Sequence, residues 1–176
     1  FGKTEIAMRA AFKAVEDKKQ VAVIAPTTVL TFQHTQTFSK RFAQWPVNIR
    51  PLNRFVEAKD VKKTLAELAA GQVDIVIGTH RLLSKDIQFK NLGLLIVDEE
   101  QKFGVKHKET LRKIKVGVDT LALSATPIPR TLHMSLVGIR DLSLLNTPPL
   151  DRLPTRTFVC KFDKETIRKA ALAEVG

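Results

Sequence analysis

The chain has 176 residues, 44% hydrophobic and 27% charged, enough for one domain with its own core. Its formal net charge of +11 is far from neutral and favours a polyanionic partner, nucleic acid first. A single cysteine, Cys160, excludes an intrachain disulfide and a cysteine-based zinc site, and no apolar run nears the ~18 residues of a membrane-spanning helix. With no signal peptide visible, we expect a cytoplasmic protein with no membrane partner.

Gly2-Lys3-Thr4 leads into an alanine-rich segment, Glu5 to Glu16. Glu5, Arg9, Lys13 and Glu16 recur at helical spacing, and Ile6, Ala7, Ala10, Ala11 and Ala14 fill the other side, which predicts a helix with a broad buried face. Val21 to Ala25 reads as a buried strand ended by Pro26. Val29 to Phe42 reads as a helix whose stripe Leu30, His34, Phe38, Phe42 places His34 at the edge of the core. Trp45-Pro46 ends that pattern, and a strand follows over Val47 to Leu52. Ala58 to Ala70 predicts a third helix, with Val61, Leu65 and Leu68 inward and Gly71 as its stop. Asp74 to Gly78 is another buried strand, and Leu82 to Phe89 is short and irregular. Leu94 to Val97 is a strand, Lys108 to Lys115 a short helix, Thr120 to Ser124 a strand, and Pro129 to Val137 a helix. Pro148, Pro149 and Pro154 mark a linker, beyond which a strand over Thr157 to Phe162 and a helix over Lys164 to Val175 are expected. Strands alternating with helices predict an α/β fold: a mainly parallel sheet with helices on both faces.

The chemistry is concentrated where strands end. Leu94-Leu95-Ile96-Val97 stops abruptly at Asp98-Glu99-Glu100-Gln101. A continuous apolar run suits a strand buried on both faces, so the acids fall at its carboxyl end, the edge where open α/β sheets bind ligands. An Asp there is a hard oxygen ligand of the kind that Mg²⁺ on a phosphate takes, and the next Glu can orient or deprotonate a water. Gly2-Lys3-Thr4 before a helix is the tail of G-x-x-x-x-G-K-[ST], in which helix N–H groups cradle phosphates, Lys3 reaches the β and γ phosphates and the Thr4 hydroxyl binds Mg²⁺. Gln101 could sense the γ-phosphate, and Ser124-Ala125-Thr126-Pro127 could bridge the acidic site to the opposite surface. Pro26-Thr27-Thr28 and Gly78-Thr79-His80-Arg81 end two further strands with small hydroxyl and basic residues able to meet phosphate backbones. Each of these pieces alone is weak. A helix-start loop, a solvated acidic turn, a strand exit or an N-cap is the default reading of any one of them.

Taken in order, they resemble the motifs of superfamily 2 helicases and DNA translocases: Gly2-Lys3-Thr4 motif I, Pro26-Thr27-Thr28 motif Ia, Gly78-Thr79-His80 motif Ib, Asp98-Glu99-Glu100-Gln101 motif II, Ser124-Ala125-Thr126-Pro127 motif III. Trp45-Pro46-Val47, Asn53-Arg54-Phe55, Phe103-Gly104-Val105, Thr126-Pro127-Ile128-Pro129-Arg130 and Thr147-Pro148-Pro149 extend the likeness over nearly the whole chain, and most closely toward the bacterial transcription-repair coupling factors. Gln101 departs from the His that many members carry. The fork-reversal helicases share the Phe-Gly-Val and Thr-Pro-Ile-Pro-Arg segments but usually have Asp-Glu-Gln-His at motif II. They are the alternative.

The resemblance implies a RecA-like first motor domain over residues 1–146, a linker over 147–156 and the start of a second RecA-like domain over 157–176. It implies ATP and Mg²⁺ as cofactors, with Gly2, Lys3 and Thr4 binding ATP and Thr4 and Asp98 the metal. Asp98, Glu99 and Gln101 would be catalytic, Ser124 and Thr126 would couple, and Thr27, Thr28, Arg54, Thr79, His80 and Arg81 would meet double-stranded DNA. RNA polymerase and an excision-repair damage-recognition protein would be partners through modules outside this chain. The chain opens inside motif I rather than on Met, so it is expected to be a fragment lacking the P-loop strand and too incomplete to turn over ATP alone. A P-loop enzyme of small molecules and a non-catalytic basic module are the rivals from other classes; a DNA-stimulated ATPase separates both.

Overall fold

The computed structural model describes residues 2–114, 116–125, 141–145, 147, 157, 159 and 161–175. The chain divides into two compact units, Phe1–Asn146 and Thr147–Gly176. In the first, helix α1 (Lys3–Glu16) precedes strand β1 (Gln20–Ile24), helix α2 (Thr28–Arg41), strand β2 (Ile49–Leu52), helix α3 (Ala58–Ala70) and strand β3 (Ile75–Gly78). A 3-10 turn (His80–Leu83) leads to strand β4 (Leu92–Asp98), a second 3-10 turn (Glu100–Lys102), helix α4 (Val105–Ile114) and strand β5 (Asp119–Leu123). The expected helix over Pro129 to Val137 lies outside the described residues.

The five strands form one sheet in the order β2-β3-β1-β4-β5, and every adjacent pair is parallel. Parallel neighbours require crossovers, and the helices supply them. Because successive side chains point to opposite faces, each apolar strand feeds two cores. Val21, Val23, Ile75, Ile77, Leu94 and Ile96 pack with Ala7, Met8 and Ala11 of α1 and Phe38 of α2. Ala22, Ile24, Val76, Leu95 and Val97 pack on the other face with Leu68 of α3, Leu82 of the first 3-10 turn and Leu111 of α4. This is a RecA-like α/β layer arrangement with helices on both faces, as the alternation of elements predicts.

Two local expectations change. Ile6 is exposed, so the buried face of α1 is narrower than its composition suggests; Ala7, Met8 and Ala11 carry it. In α2 the buried residues are Thr31, His34 and Phe38, and Leu30 is only half-buried. Among the described strands β5 lies at one edge of the sheet, with Asp119, Thr120 and Ala122 exposed. The other edge, β2, carries Pro51, which has no N–H to donate and is tolerated where one side of the strand has no neighbour. Gly71 ends α3, as expected from sequence.

A buried glutamine fixes the amino end of the sheet. The Gln20 side chain donates to the Leu68 and Val73 carbonyls at 2.9 Å each and accepts from Asn91 N–H at 3.0 Å. It thereby ties the end of α3 and the approach to β4 to the start of β1.

In the second unit, Thr157, Val159, Lys161 and Phe162 are not in a strand, contrary to expectation. A strand is held by ladder partners, and no described residue of this unit supplies one. Helix α5 (Lys164–Val175) does form. Asp163 caps it, accepting from Glu165 N–H at 3.2 Å and Thr166 N–H at 3.0 Å. Bonds from the Thr166 hydroxyl, the Thr166 N–H and the Glu165 N–H hold the Asp163 carboxyl below its ordinary pKa.

Candidate functional site

The apolar run of β4 ends at Asp98, on the carboxyl edge of the sheet between β1 and β5. The next residue, Glu99, turns the chain with a left-handed backbone (φ 50°, ψ 50°), a conformation that costs a non-glycine residue about 1–3 kcal/mol. Its N–H donates to the Leu123 carbonyl at 2.9 Å, which anchors the turn to β5. The turn brings the carboxylate to the start of α1, where Gly2 is the N-cap with φ 70°. Lys3 Nζ lies 2.9 Å from Glu99 Oε1. Gln101 Nε2 donates to Glu99 Oε2, and Ala125 N–H donates to Oε1 at 3.1 Å. Ser124 Oγ reaches Gln101 Oε1 at 3.5 Å, a long contact that extends the chain of polar groups to the end of β5.

Partial burial pushes the Glu99 carboxyl up. Hydrogen bonds from Lys3 and Gln101, the Lys3 charge and the Ala125 N–H outweigh it, and the net pKa lies below the ordinary carboxylate value. Glu99 is therefore an ionised acceptor at neutral pH. Its share of stability is present above the ordinary carboxylate range and is lost as pH falls through the lowered pKa.

Asp98 is 7% exposed, and its Oδ2 sits 2.9 Å from Nε2 of His34, which is 9% exposed. Facing a carboxylate, that ring nitrogen carries the hydrogen and donates it. Lys3, Thr4, His34, Asp98, Glu99 and Gln101 line one cavity of about 690 Å³. Its chemistry is an ammonium, a hydroxyl and two carboxylates beside a helix N-terminus, which suits a phosphate with a hard cation. Among the described residues no group of three or more His, Cys, Asp or Glu could hold a metal by itself. A Mg²⁺ ion needs no such cage, since it keeps waters and substrate oxygens and takes one or two protein ligands. The Thr4 hydroxyl and the Asp98 carboxylate meet that demand.

The remaining strand-end residues follow the carboxyl ends of β1, β2 and β3, which are level in the register: Ile24 and Leu52 both pair with Gly78. Thr27 caps α2, its hydroxyl accepting from Leu30 N–H at 3.3 Å. Thr28 opens that helix, and its carbonyl accepts from the Thr31 hydroxyl at 2.8 Å. Thr79 is 7% exposed and its hydroxyl accepts from Arg81 N–H at 3.5 Å. His80 is exposed and stacks on His107 at 5.0 Å between centroids. Arg54 is exposed and lies over the Phe55 ring at 5.1 Å. Arg81 is held in a two-pronged pair by Asp86, at 2.7 and 2.5 Å. Thr126 lies outside the described residues.

Two residues at this edge have roles that the sequence does not disclose. His34 reads as a core-edge histidine, which it is, but nothing in its helical spacing links it to Asp98, 64 positions away. Asn53 is buried, donates to Thr31 Oγ1 at 3.3 Å and accepts from Phe55 N–H at 2.9 Å, joining the β2 end to α2.

Among proteins of known sequence, the chain is 56% identical over 175 residues to the transcription-repair-coupling factor of Escherichia coli (strain K12) and 55% identical over 176 residues to that of Bacillus subtilis (strain 168). These matches cover 99% and 100% of this chain but 15% of each relative, so the chain spans about 15% of their length. Among solved structures it is similar to RecG bound to a three-way DNA junction, at 35% identity and a TM-score of 0.70, over 86% of this chain and 20% of that one. The Hef helicase domain of Pyrococcus furiosus shares the fold alone, at 9% identity and a TM-score of 0.52, over 77% of this chain and 28% of that one. Residues 1–135 match the DEAD/DEAH box helicase family, and with motif-bearing residues gathered on one sheet edge the chain belongs to that family.

Proposed function

We propose that residues 1–146 are the first motor domain of an ATP-driven double-stranded DNA translocase, one that displaces stalled RNA polymerase and couples transcription to excision repair. Residues 147–156 are its linker and 157–176 open the second motor domain. The observation that carries this reading is the Lys3–Glu99 contact of 2.9 Å across a cavity that Thr4 and Asp98 also line. It joins a phosphate-binding lysine to a water-activating carboxylate, as ATP hydrolysis requires.

In this reading the α1 N-terminus and Lys3 bind the β and γ phosphates of ATP, and Thr4 and Asp98 hold Mg²⁺. When bound, that ion neutralises phosphate charge. Glu99 orients and deprotonates the attacking water. Gln101 bonds Glu99 and relays the state of the γ-phosphate to Ser124 and Thr126. Thr27, Thr28, Arg54, Thr79, His80 and Arg81 meet DNA phosphates at the ends of β1, β2 and β3. Thr27 and Thr79 use a hydroxyl lone pair in their caps, as acceptors from backbone N–H, which leaves the O–H of each as a donor for a phosphate oxygen. RNA polymerase and a damage-recognition protein bind through segments outside this chain, in the bacterial cytoplasm. No helix among the described residues is long and apolar enough to cross a membrane.

The test is made on the full-length protein. Duplex DNA should stimulate its ATPase. Affinity for duplexes of unrelated sequence should be similar, and should fall by about tenfold between 50 and 200 mM salt if two phosphate contacts are made, more if there are more. Displacement of a stalled polymerase without strand separation fits the coupling reading. The fork-reversal alternative predicts unwinding of branched DNA instead. ATP turnover indifferent to DNA would sink both.

Arg81 gives a sharper check. Hydrogen bonds to Asp86 raise its pKa and lower that of Asp86, so the pair stays formed throughout the neutral range and is lost only as pH falls through the depressed Asp86 value. Substitution, not pH, is therefore the way to release the guanidinium. Asp86→Asn should tighten duplex binding several-fold and steepen the salt dependence by about one unit of slope. Titrations at two salt concentrations read both.

A further inference from the structure

His34 lies two turns into α2, between two anchored neighbours. Thr31, one turn before it, is buried and accepts from Asn53; Phe38, one turn after it, is fully buried and meets the His34 ring edge-on at 6.5 Å. The rotational phase of the helix is thus fixed, and with it the position of the ring. The ring nitrogen Nε2 is delivered to Asp98 Oδ2 at 2.9 Å. A carboxylate as buried as Asp98 gives up bonds from water, and a protein donor replaces one of them. The carboxylate also needs a fixed torsion if its oxygens are to serve a metal of strict geometry, and Mg²⁺ is such a metal. A donor on one oxygen does both: it locks the plane of the carboxylate and leaves Oδ1 for the cation.

We propose that His34 is a positioning residue for the metal-binding carboxylate: by donating from Nε2 to Asp98 Oδ2 it orients Oδ1 toward the divalent ion that accompanies the nucleotide. The inference rests on reading Asp98 as the metal ligand. It adds a residue that lies on a helix reached from a different strand end, not in the Asp98–Gln101 segment. Outer partners of metal-ligating groups are typically worth 10–100-fold in metal affinity, and that is the effect expected here.

The experiment uses the full-length protein with Mn²⁺ and a non-hydrolysable ATP analogue, bound Mn²⁺ being counted by its paramagnetic resonance signal. The Mg²⁺ concentration that half-saturates the ATPase is the second readout. His34→Leu removes the donor while keeping an apolar filling, and should weaken both by about 10–100-fold. His34→Gln places an amide N–H at similar reach and should stay close to the parent. Circular dichroism checks folding, and if His34→Leu does not fold, His34→Met repeats the test with another side chain that has no donor. Asp98→Asn is the control and should abolish Mn²⁺ retention. Unchanged Mn²⁺ affinity in the folded donor-less variant overturns the proposal, as does an equal loss in His34→Gln, which would make the role one of packing. If Asp98→Asn retains Mn²⁺, the reading of Asp98 itself fails, and the His34 proposal with it.

Discussion

Replacing Glu99 by glutamine in the full-length protein should cut ATP turnover by about 10²–10⁴-fold, the usual worth of a positioned base. Glutamine preserves length, and its single amide oxygen can accept from Ala125 N–H or from Gln101, which bond different oxygens of the carboxylate. It cannot take a proton, and it removes the charge opposite Lys3 at 2.9 Å. Nucleotide affinity should change little, because in the proposed reading α1 and Lys3, not position 99, hold the phosphates. The loss should therefore fall on kcat and leave KM near its original value, the pattern of an interaction used in the transition state alone. Steady-state kinetics with fluorescent-nucleotide binding separates the two constants. A Glu99→Gln protein that turned over ATP at the parent rate would place the base elsewhere.

Ile96→Ala should cost about 2–5 kcal/mol of stability, the range for truncating a buried aliphatic side chain. Ile96 is fully buried in β4, where it pairs with Val23 of β1 and Leu121 of β5. Its side chain belongs to the core that contains Ala7 and Ala11 of α1 and Phe38 of α2. The sheet strands on either side are fixed by backbone ladders, so little can collapse into the space left behind. Against a typical total of 5–15 kcal/mol such a loss is large. Urea unfolding of the chain should show a lower midpoint with an unchanged slope. Val116→Ala, at a site 82% exposed, should stay within about 0.5 kcal/mol and serves as the control.

The sequence by itself determined the layers and the sheet edge on which the candidate site lies. Apolar runs at residues 75–77 and 94–97 have no polar alternation, which requires cover on both faces and hence parallel strands joined by helices. Once the strands are parallel, every residue that follows one lies at the same edge, so Thr27, Thr79 and Asp98 had to be brought near one another before any contact was known. Motif chemistry then named Lys3, Thr4, Asp98 and Glu99 as a set.

Only the tertiary structure decided who meets whom. The order β2-β3-β1-β4-β5 is set by which apolar faces pack, a property of pairs far apart in the chain, and no local period encodes it. Among the described strands that order leaves β5 at one edge, with Thr120 and Ala122 exposed. It carries Lys3 to Glu99 over 96 positions and His34 to Asp98 over 64. The caps by the Thr27 and Thr79 hydroxyls and the Arg81–Asp86 pair do not depend on that order, since their partners lie within five positions in the chain. Residue type says what a side chain can bond. Its partner depends on the few ångströms that separate helices and strand ends, and these are fixed by the packing of the two cores on either side of the sheet.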